Sequence, residues 1–126
     1  MRILVVEDEP TLARQLADGL VAAGYAVDLA DNGIDALVMV GDFKPTLVVL
    51  DVIMPGIDGI EVCRRLRANP STKDIQILVV SADLTTDVER EALAAGAHRC
   101  QHKPIKAEVI LEMIGLSRLT KAEPQS

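Results

Sequence analysis

Short apolar runs alternate with helix-period stripes along this chain, and turns rich in Asp, Pro or Gly separate them. The runs are Ile3–Val6, Ala26–Leu29, Leu47–Leu50, Ile75–Val80 and a weaker Ala97–Gln101. Three of these are continuous stretches of Val, Ile and Leu rather than alternating ones, the pattern of strands covered on both faces. Between them, apolar residues recur three and four apart. Leu12, Ala13, Leu16, Leu20 and Ala23 form one stripe before Gly24, and Ile60, Cys63 and Leu66 form another before Asn69-Pro70. Val88, Ala92, Leu93 and Ala95 precede Gly96, and Ile105, Val109, Ile110, Met113 and Ile114 make the last stripe. Glycine just past each of two stripes is a helix stop. Strands alternating with helices over short connections predict right-handed βαβ units and a parallel sheet. Five such units are too few for an eight-fold barrel. The expected fold is an open, five-stranded α/β sheet, doubly wound by helices.

A sheet of this kind gathers its chemistry outside the carboxyl ends of its strands. Glu7 and Asp8 follow the first run, Asp51 the third, Ser81 and Ala82 the fourth, and Lys103-Pro104 the fifth. The second run offers only Asp31-Asn32-Gly33, which reads as a turn and helix cap. Three carboxylates, a hydroxyl and an ammonium would therefore meet in one small patch. Carboxylates ~5 Å apart repel by about 3 kcal/mol per pair at an effective dielectric of ~20. A hard divalent cation is the usual compensation, and Mg²⁺ takes oxygen ligands of this kind together with phosphate. A carboxylate between such a cation and a lysine is a competent nucleophile for phosphoryl transfer, giving an aspartyl-phosphate. That chemistry needs positioning and charge neutralisation more than covalent help.

Composition narrows the partners. The 126 residues suffice for one self-supporting core. Thirteen Lys and Arg against nineteen Asp and Glu leave a net charge of −6, and aromatic residues amount to 2% with no Trp. That balance argues against nucleic acid as a direct partner, since neither a basic stripe nor a stacking platform is present. No apolar run approaches the ~20 residues that span a bilayer. Met1-Arg2 leads directly into the first run without a signal-peptide pattern. Two cysteines, Cys63 and Cys100, do not form a disulfide framework. The expectation is a soluble, acidic, cytoplasmic domain without membrane contact.

The chain resembles the receiver domain of two-component response regulators, the CheY-like family, from Arg2 to about Leu116. The resemblance is carried by Val5-Val6-Glu7-Asp8-Glu9-Pro10, by Leu50-Asp51-Val52-Ile53-Met54-Pro55-Gly56-Ile57-Asp58-Gly59, by Val80-Ser81-Ala82 and by Lys103-Pro104. It implies a flavodoxin-like strand order of 2-1-3-4-5, a receiver over residues 1–118, and a tail or linker start over 119–126. It implies that Asp51 accepts a phosphoryl group from a histidine kinase or histidine phosphotransfer protein. Glu7, Asp8, Asp51 and the backbone carbonyl of Ile53 would then hold Mg²⁺, while Ser81 and Lys103 bind the phosphoryl oxygens. A cis Lys103–Pro104 bond is implied too. The output would leave through the fourth helix, fifth strand and fifth helix, toward a downstream protein, an output domain or a phosphorylation-dependent homodimer. Arg90, Glu91, His98, Lys106 and Glu108 are its expected charged residues, and Leu111 and Leu116 its expected apolar ones if they are not core. Ile53 and Asp83, each two residues past a site residue, would set the lifetime of the phosphoryl group.

One position departs from the family. Three residues before the lysine, where an aromatic ring couples to phosphorylation, this chain has Cys100, which is too small to swing into the space Ser81 vacates. Coupling through movement of the Ala82–Thr86 loop is the alternative. Other readings are a receiver that binds without being switched and an aspartate-nucleophile phosphatase. The phosphatase wants an acid two residues after the nucleophile, where Ile53 stands. A flavodoxin-like nucleotide carrier would want a Gly-rich phosphate loop in place of Glu7-Asp8-Glu9-Pro10. His98, Cys100 and His102 alternate and are zinc-ligand types, but three residues on one strand close a tetrahedron poorly and no fourth ligand is evident. Cys63 is expected as a small core residue rather than a redox sensor.

Overall fold

The computed structural model describes residues 1–122, with side chains described through residue 115. Strands and helices alternate as β1 (Arg2–Val6), α1 (Pro10–Ala22), β2 (Ala26–Ala30), α2 (Gly33–Phe43), β3 (Leu47–Asp51), α3 (Gly59–Ala68), β4 (Gln76–Ser81), α4 (Thr86–Ala94), β5 (Arg99–His102) and α5 (Ala107–Ala122). The five strands are all parallel and lie in the order β2-β1-β3-β4-β5. The order reverses between β1 and β3, so the carboxyl ends of these two strands flank the crevice where such sheets hold their chemistry.

Alternation along the central strands sorts the core into two layers. Leu4, Val6, Val48, Leu50, Ile77 and Val79 face α2, α3 and α4, where Ala36, Val40, Val62, Cys63, Leu66 and Ala92 meet them. Ile3, Val5, Leu47, Val49, Leu78 and Val80 face α1 and α5, against Leu16, Leu20, Ile110 and Ile114. β1, β3 and β4 are buried almost throughout, as their unbroken apolar runs require. β2 lies at the edge and alternates instead. Each fully buried Val, Leu or Ile here contributes about 1.5–3 kcal/mol of transfer free energy.

Local chemistry sets the helix limits. Pro10 opens α1, with the Glu9 carboxylate accepting from the amides of Thr11 and Leu12 at 3.2 and 2.7 Å. Asn32, Asp58 and Thr85 cap α2, α3 and α4 through side-chain oxygens that accept from backbone amides. Gly24 and Gly96, at φ of 99° and 111°, stop α1 and α4 in the left-handed region open to glycine.

The differences from the sequence pattern are local. β4 begins one residue late, because the Ile75 amide still turns back to the Thr72 carbonyl, and it extends to include Ser81. β5 covers Arg99–His102 rather than Ala97–Gln101, because the Ala97 amide returns to the Ala92 carbonyl as α4 unwinds. Ala23 and Leu93, counted among the apolar stripes, are exposed, whereas Ala17 is buried. α2 shows no distinct stripe in sequence because Ile34, Leu37, Val38, Met39 and Val40 crowd all sides of it. Only Ala36 and Val40 of its apolar side chains face the core fully. Leu111 packs against the second core layer, while the side chain of Leu116 and residues 123–126 of the expected tail lie outside the described residues. No described helix is long and apolar enough to cross a membrane.

Ile110 is wholly buried and fastens α5 to the sheet. Ile110→Ala is expected to lower the unfolding free energy by about 2–5 kcal/mol in urea titrations, with the chain still folding as a doubly wound sheet.

Candidate functional site

The carboxyl ends of β1, β3, β4 and β5 bring together the residues singled out in the sequence. Glu7 follows β1 and Asp51 ends β3; both are buried, at 5% and 4% exposure. Asp8 beside them is exposed. Ser81 closes β4 at 1% exposure. Lys103, just past β5, reaches inward so that its Nζ lies 2.6 Å from Glu7 Oε1 and 2.8 Å from Asp51 Oδ2. The Lys103–Pro104 peptide is cis.

Backbone contacts fix these side chains from behind. The Lys103 amide donates to the Ser81 carbonyl at 2.9 Å, and the Val52 amide donates to the Val80 carbonyl at 3.0 Å, so the strand ends are tied beyond the regular ladder. The amide of Ile53 donates to Asp51 Oδ1 at 3.3 Å, and that of Glu9 to Glu7 Oε2 at 3.2 Å. The Gly59 amide returns to the Val52 carbonyl at 2.9 Å. A Cβ on Gly59 would strike the carbonyl oxygen of Asp51, so glycine at the start of α3 is what lets the loop close behind the acid. Among the described residues no buried side-chain nitrogen or oxygen lacks a hydrogen-bond partner.

The electrostatics are unbalanced toward negative charge. Burial works against the Lys103 ammonium, but hydrogen bonds and the charges of Asp51 and Glu7 prevail and hold its pKa above the ordinary lysine value. Asp8 is pushed up, first by burial and then by the neighbouring Glu7 carboxyl. One ammonium thus faces three carboxylates. Ligand oxygens of Glu7, Asp8 and Asp51 all lie within 4.8 Å of one another, a hard, anionic donor set suited to a small divalent cation. The backbone carbonyl of Ile53 belongs to the same loop, and its side chain is 60% exposed at the rim.

Ser81 Oγ accepts from the Asp83 amide at 3.2 Å, so the hydroxyl is already joined to the loop that follows it. Asp83 itself is exposed. Cys100 pairs with Val79 in the ladder and is half-buried against the α2–α4 layer. Its Sγ lies 4.0 Å from the Glu89 carbonyl of α4, and burial pushes the thiol up.

Other sequence candidates are absorbed elsewhere. Cys63 is fully buried, its Sγ donates to the Ala95 carbonyl at 3.4 Å, and burial raises its pKa, as a core thiol requires. His98 precedes β5, and its Nδ1 is engaged by Arg67 and the Ile77 amide, so His98, Cys100 and His102 do not form a ligand cluster among the described residues. Arg90 pairs with Asp87 on its own helix at 3.6 Å, and Glu91 reaches Arg64 of α3 at 3.6 Å. Arg67, which makes four hydrogen bonds across the amino ends of the sheet, carried no sequence signal at all: an arginine in a helix reads as solvated surface.

A doubly wound sheet with an acid-and-lysine crevice at its switch point places the chain among α/β domains with an anionic, cation-fitting site, and comparison with known proteins narrows that class. Residues 3–115 match the model of the response regulator receiver domain. Response regulator MprA of Mycobacterium avium (strain 104) is 42% identical over 124 residues, covering 98% of this chain and 54% of that protein. The signal receiver domain of a DNA-binding response regulator from Colwellia psychrerythraea 34H superposes with a TM-score of 0.85 at 29% identity, over 96% of this chain and 98% of the other. A response regulator from Burkholderia pseudomallei, solved with a phosphorylated aspartic acid, a calcium ion and citrate, gives a TM-score of 0.81 at 30% identity, over 87% of this chain and 64% of that one. The chain therefore belongs to the response regulator receiver domain family, the signalling switches of two-component systems. It spans about half the length of the curated relatives it matches.

Lys103→Ala leaves two buried carboxylates facing each other without a cation. A loss of about 3–5 kcal/mol at neutral pH is expected, and it should shrink in a Glu7→Gln background, as a double-mutant cycle in urea would measure.

Proposed function

We propose that the chain is a phosphorylation-driven receiver in which Asp51 is the acceptor. The observation that carries this reading is the Asp51 carboxylate held at 2.8 Å by Lys103, with carboxylate oxygens of Glu7 and Asp8 within 4.8 Å. An Asp51 oxygen attacks the phosphorus of a phosphohistidine on a histidine kinase or histidine phosphotransfer protein. A P–O bond forms, the P–N bond breaks, and the imidazole leaves with its electron pair. Glu7, Asp8, Asp51 and the Ile53 carbonyl would hold Mg²⁺, which would supply charge neutralisation at the phosphoryl oxygens. Lys103 and Ser81 take the remaining phosphoryl oxygens.

The phosphoryl group brings about −1.5 to −2 charge and three acceptor oxygens. Ser81 donates its hydroxyl proton to it while still accepting from the Asp83 amide, and so draws the 82–86 loop inward. Cys100 fills the place of an aromatic switch residue without the bulk to act as one, so loop movement carries the change to the α4–β5–α5 face. That face engages a downstream protein, an output domain or a second phosphorylated copy. Ile53, apolar at the position where a phosphatase has its general acid, suits a switch rather than a turnover enzyme. Residues 1–118 form the receiver unit, alone or at the head of a longer cytoplasmic regulator, although α5 itself runs on through Ala122.

Intact-mass analysis after acetyl phosphate treatment should show a gain of one phosphoryl group with Mg²⁺ and none after chelation. Asp51→Asn should take up none in either case. Failure of the wild type to gain the group under any condition would leave a constitutive binding module. Asp83 and Ile53 flank the approach of water to the acyl phosphate. Asp83→Ala should lengthen the phosphoryl lifetime by several-fold, read from the decay of the phosphorylated mass, whereas an unchanged decay would remove Asp83 from that role.

A further inference from the structure

At the end of the sheet opposite the acidic crevice, Arg67 of α3 and His98 ahead of β5 fasten three segments to one another. Arg67 Nε donates to the Gly96 carbonyl at 2.9 Å, and Nη1 donates to the carbonyls of Lys73 and Ile75 at 2.8 and 2.6 Å. Nη2 lies 3.0 Å from His98 Nδ1, and the Ile77 amide donates to the same nitrogen at 3.2 Å. Both neighbours of Nδ1 can only donate, because a guanidinium has no acceptor and a peptide N–H has none. Nδ1 must therefore be the unprotonated nitrogen, and the ring is the neutral tautomer with its proton on Nε2.

The ring does the work of a backbone carbonyl. The His98 amide donates to the Ile77 carbonyl at 2.9 Å, which begins the β4–β5 ladder. The next rung needs an acceptor for the Ile77 amide, but the Gly96 carbonyl is already taken by Arg67. Ile77 is wholly buried while the ring stays in place, so in the closed state its amide has no water to turn to. The imidazole supplies the acceptor.

We propose that His98 is a pH-operated latch on the receiver: neutral, its ring holds the Ile77 amide at the start of the β4–β5 ladder and anchors Arg67, and protonated, it releases both. A proton on Nδ1 would point an N–H at two donors and set imidazolium beside guanidinium. The ring then leaves, the Ile77 amide loses its partner, and Arg67 loosens its hold on the α3–β4 loop and on the α4–β5 junction. Proton uptake is thereby linked to the seam that joins α4 to β5, independently of Asp51.

The surroundings favour the neutral ring. From α3 the facing charge is Arg67. From the chain itself it is Arg99, and the α3–β4 loop carries the exposed Lys73 and Asp74. Toward α5 the cleft beside the ring is lined by Leu47, Ile110, Met113 and Ile114 together with Gln76 and Arg99, and carries no carboxylate. The ring is exposed on its outer side, but partial desolvation where it meets Ile77, and after it the Arg67 charge, pull the His98 pKa below the ordinary value of about 6.5. The unfolded chain therefore takes its proton first. The latch contributes its full stability above about pH 6.5, and that contribution drains away as pH falls through the lower folded-state value.

Amide hydrogen exchange and ¹⁵N spectroscopy on the full chain test this between about pH 7.5 and 5. His98→Asn offers an acceptor oxygen near the place of Nδ1 and cannot titrate. In the wild type, the protection factor of the Ile77 amide should fall by about tenfold as His98 titrates, the effect of one lost hydrogen bond. His98→Asn should hold its protection across the range, and His98→Ala should start at the low value. An Nδ1–H tautomer at neutral pH would overturn the proposal. So would Ile77 protection that stays constant through the His98 titration, or one that falls equally in His98→Asn. If His98→Ala does not fold, the wild type and His98→Asn decide the matter between them.

Discussion

A lysine ammonium lodged between two buried carboxylates from different strands is the interaction around which the rest of this molecule is arranged. Lys103 bridges Glu7 and Asp51 at 2.6 and 2.8 Å, and the three residues come from the ends of β1, β3 and β5. Without the cation, two carboxylates would sit in a protein interior at mutual repulsion and full desolvation cost. With it, the pair is held but not neutralised, since Asp8 adds a third negative charge within 4.8 Å. The excess of acid is what makes a divalent cation and a phosphoryl group acceptable in turn. A parallel sheet is the scaffold that brings successive strand ends to the same edge, and Gly59 and the Val52 amide keep the Asp51 loop tight behind it.

The two ends of the sheet are built on opposite principles. At the carboxyl end the polar groups are charged and convergent, and they are exposed enough at Asp8 and Ile53 to receive a ligand. At the amino end Arg67 gives four of its five donors to three backbone carbonyls and one imidazole. The first arrangement is poised for new contacts, and the second closes loops that would otherwise leave carbonyls unpaired. α4 lies between them, capped by Thr85 just past the Ser81 loop and stopped by Gly96 against Arg67. A change at either end therefore reaches the same helix.

Cys100 gives this receiver its individual character. Its side chain is half-buried under α4 with Sγ 4.0 Å from the Glu89 carbonyl, a contact too long and too weak to hold the helix in one place. A ring there would fill or vacate a definite volume and so define two states. A thiol leaves the position of α4 to the loop between Ser81 and Thr85, whose amide at Asp83 is already bonded to Ser81.

Much of this was legible in the chain before any coordinates. Apolar runs of Val, Ile and Leu at β1, β3 and β4 specify buried parallel strands, because no other environment tolerates them. The residues that follow those runs, Glu7, Asp8, Asp51 and Ser81, therefore specify the site, joined at the same edge by Lys103 after the weaker β5 run. Strand termini were less legible at β4 and β5, where hydrogen bonds of Ile75 and Ala97 to preceding turns, rather than residue type, decide where pairing begins. α2 lacked a readable stripe because apolar residues occupy more of its surface than the core can use. The fastening by Arg67 and His98 had no signature, for it joins residues 31 apart whose types are ordinary on any surface. Composition and periodicity determined the sheet and what stands at its carboxyl edge. Tertiary structure alone decided which charges pair, which acids remain in excess, and which side chain completes a ladder, because those depend on distances between segments that no local pattern encodes.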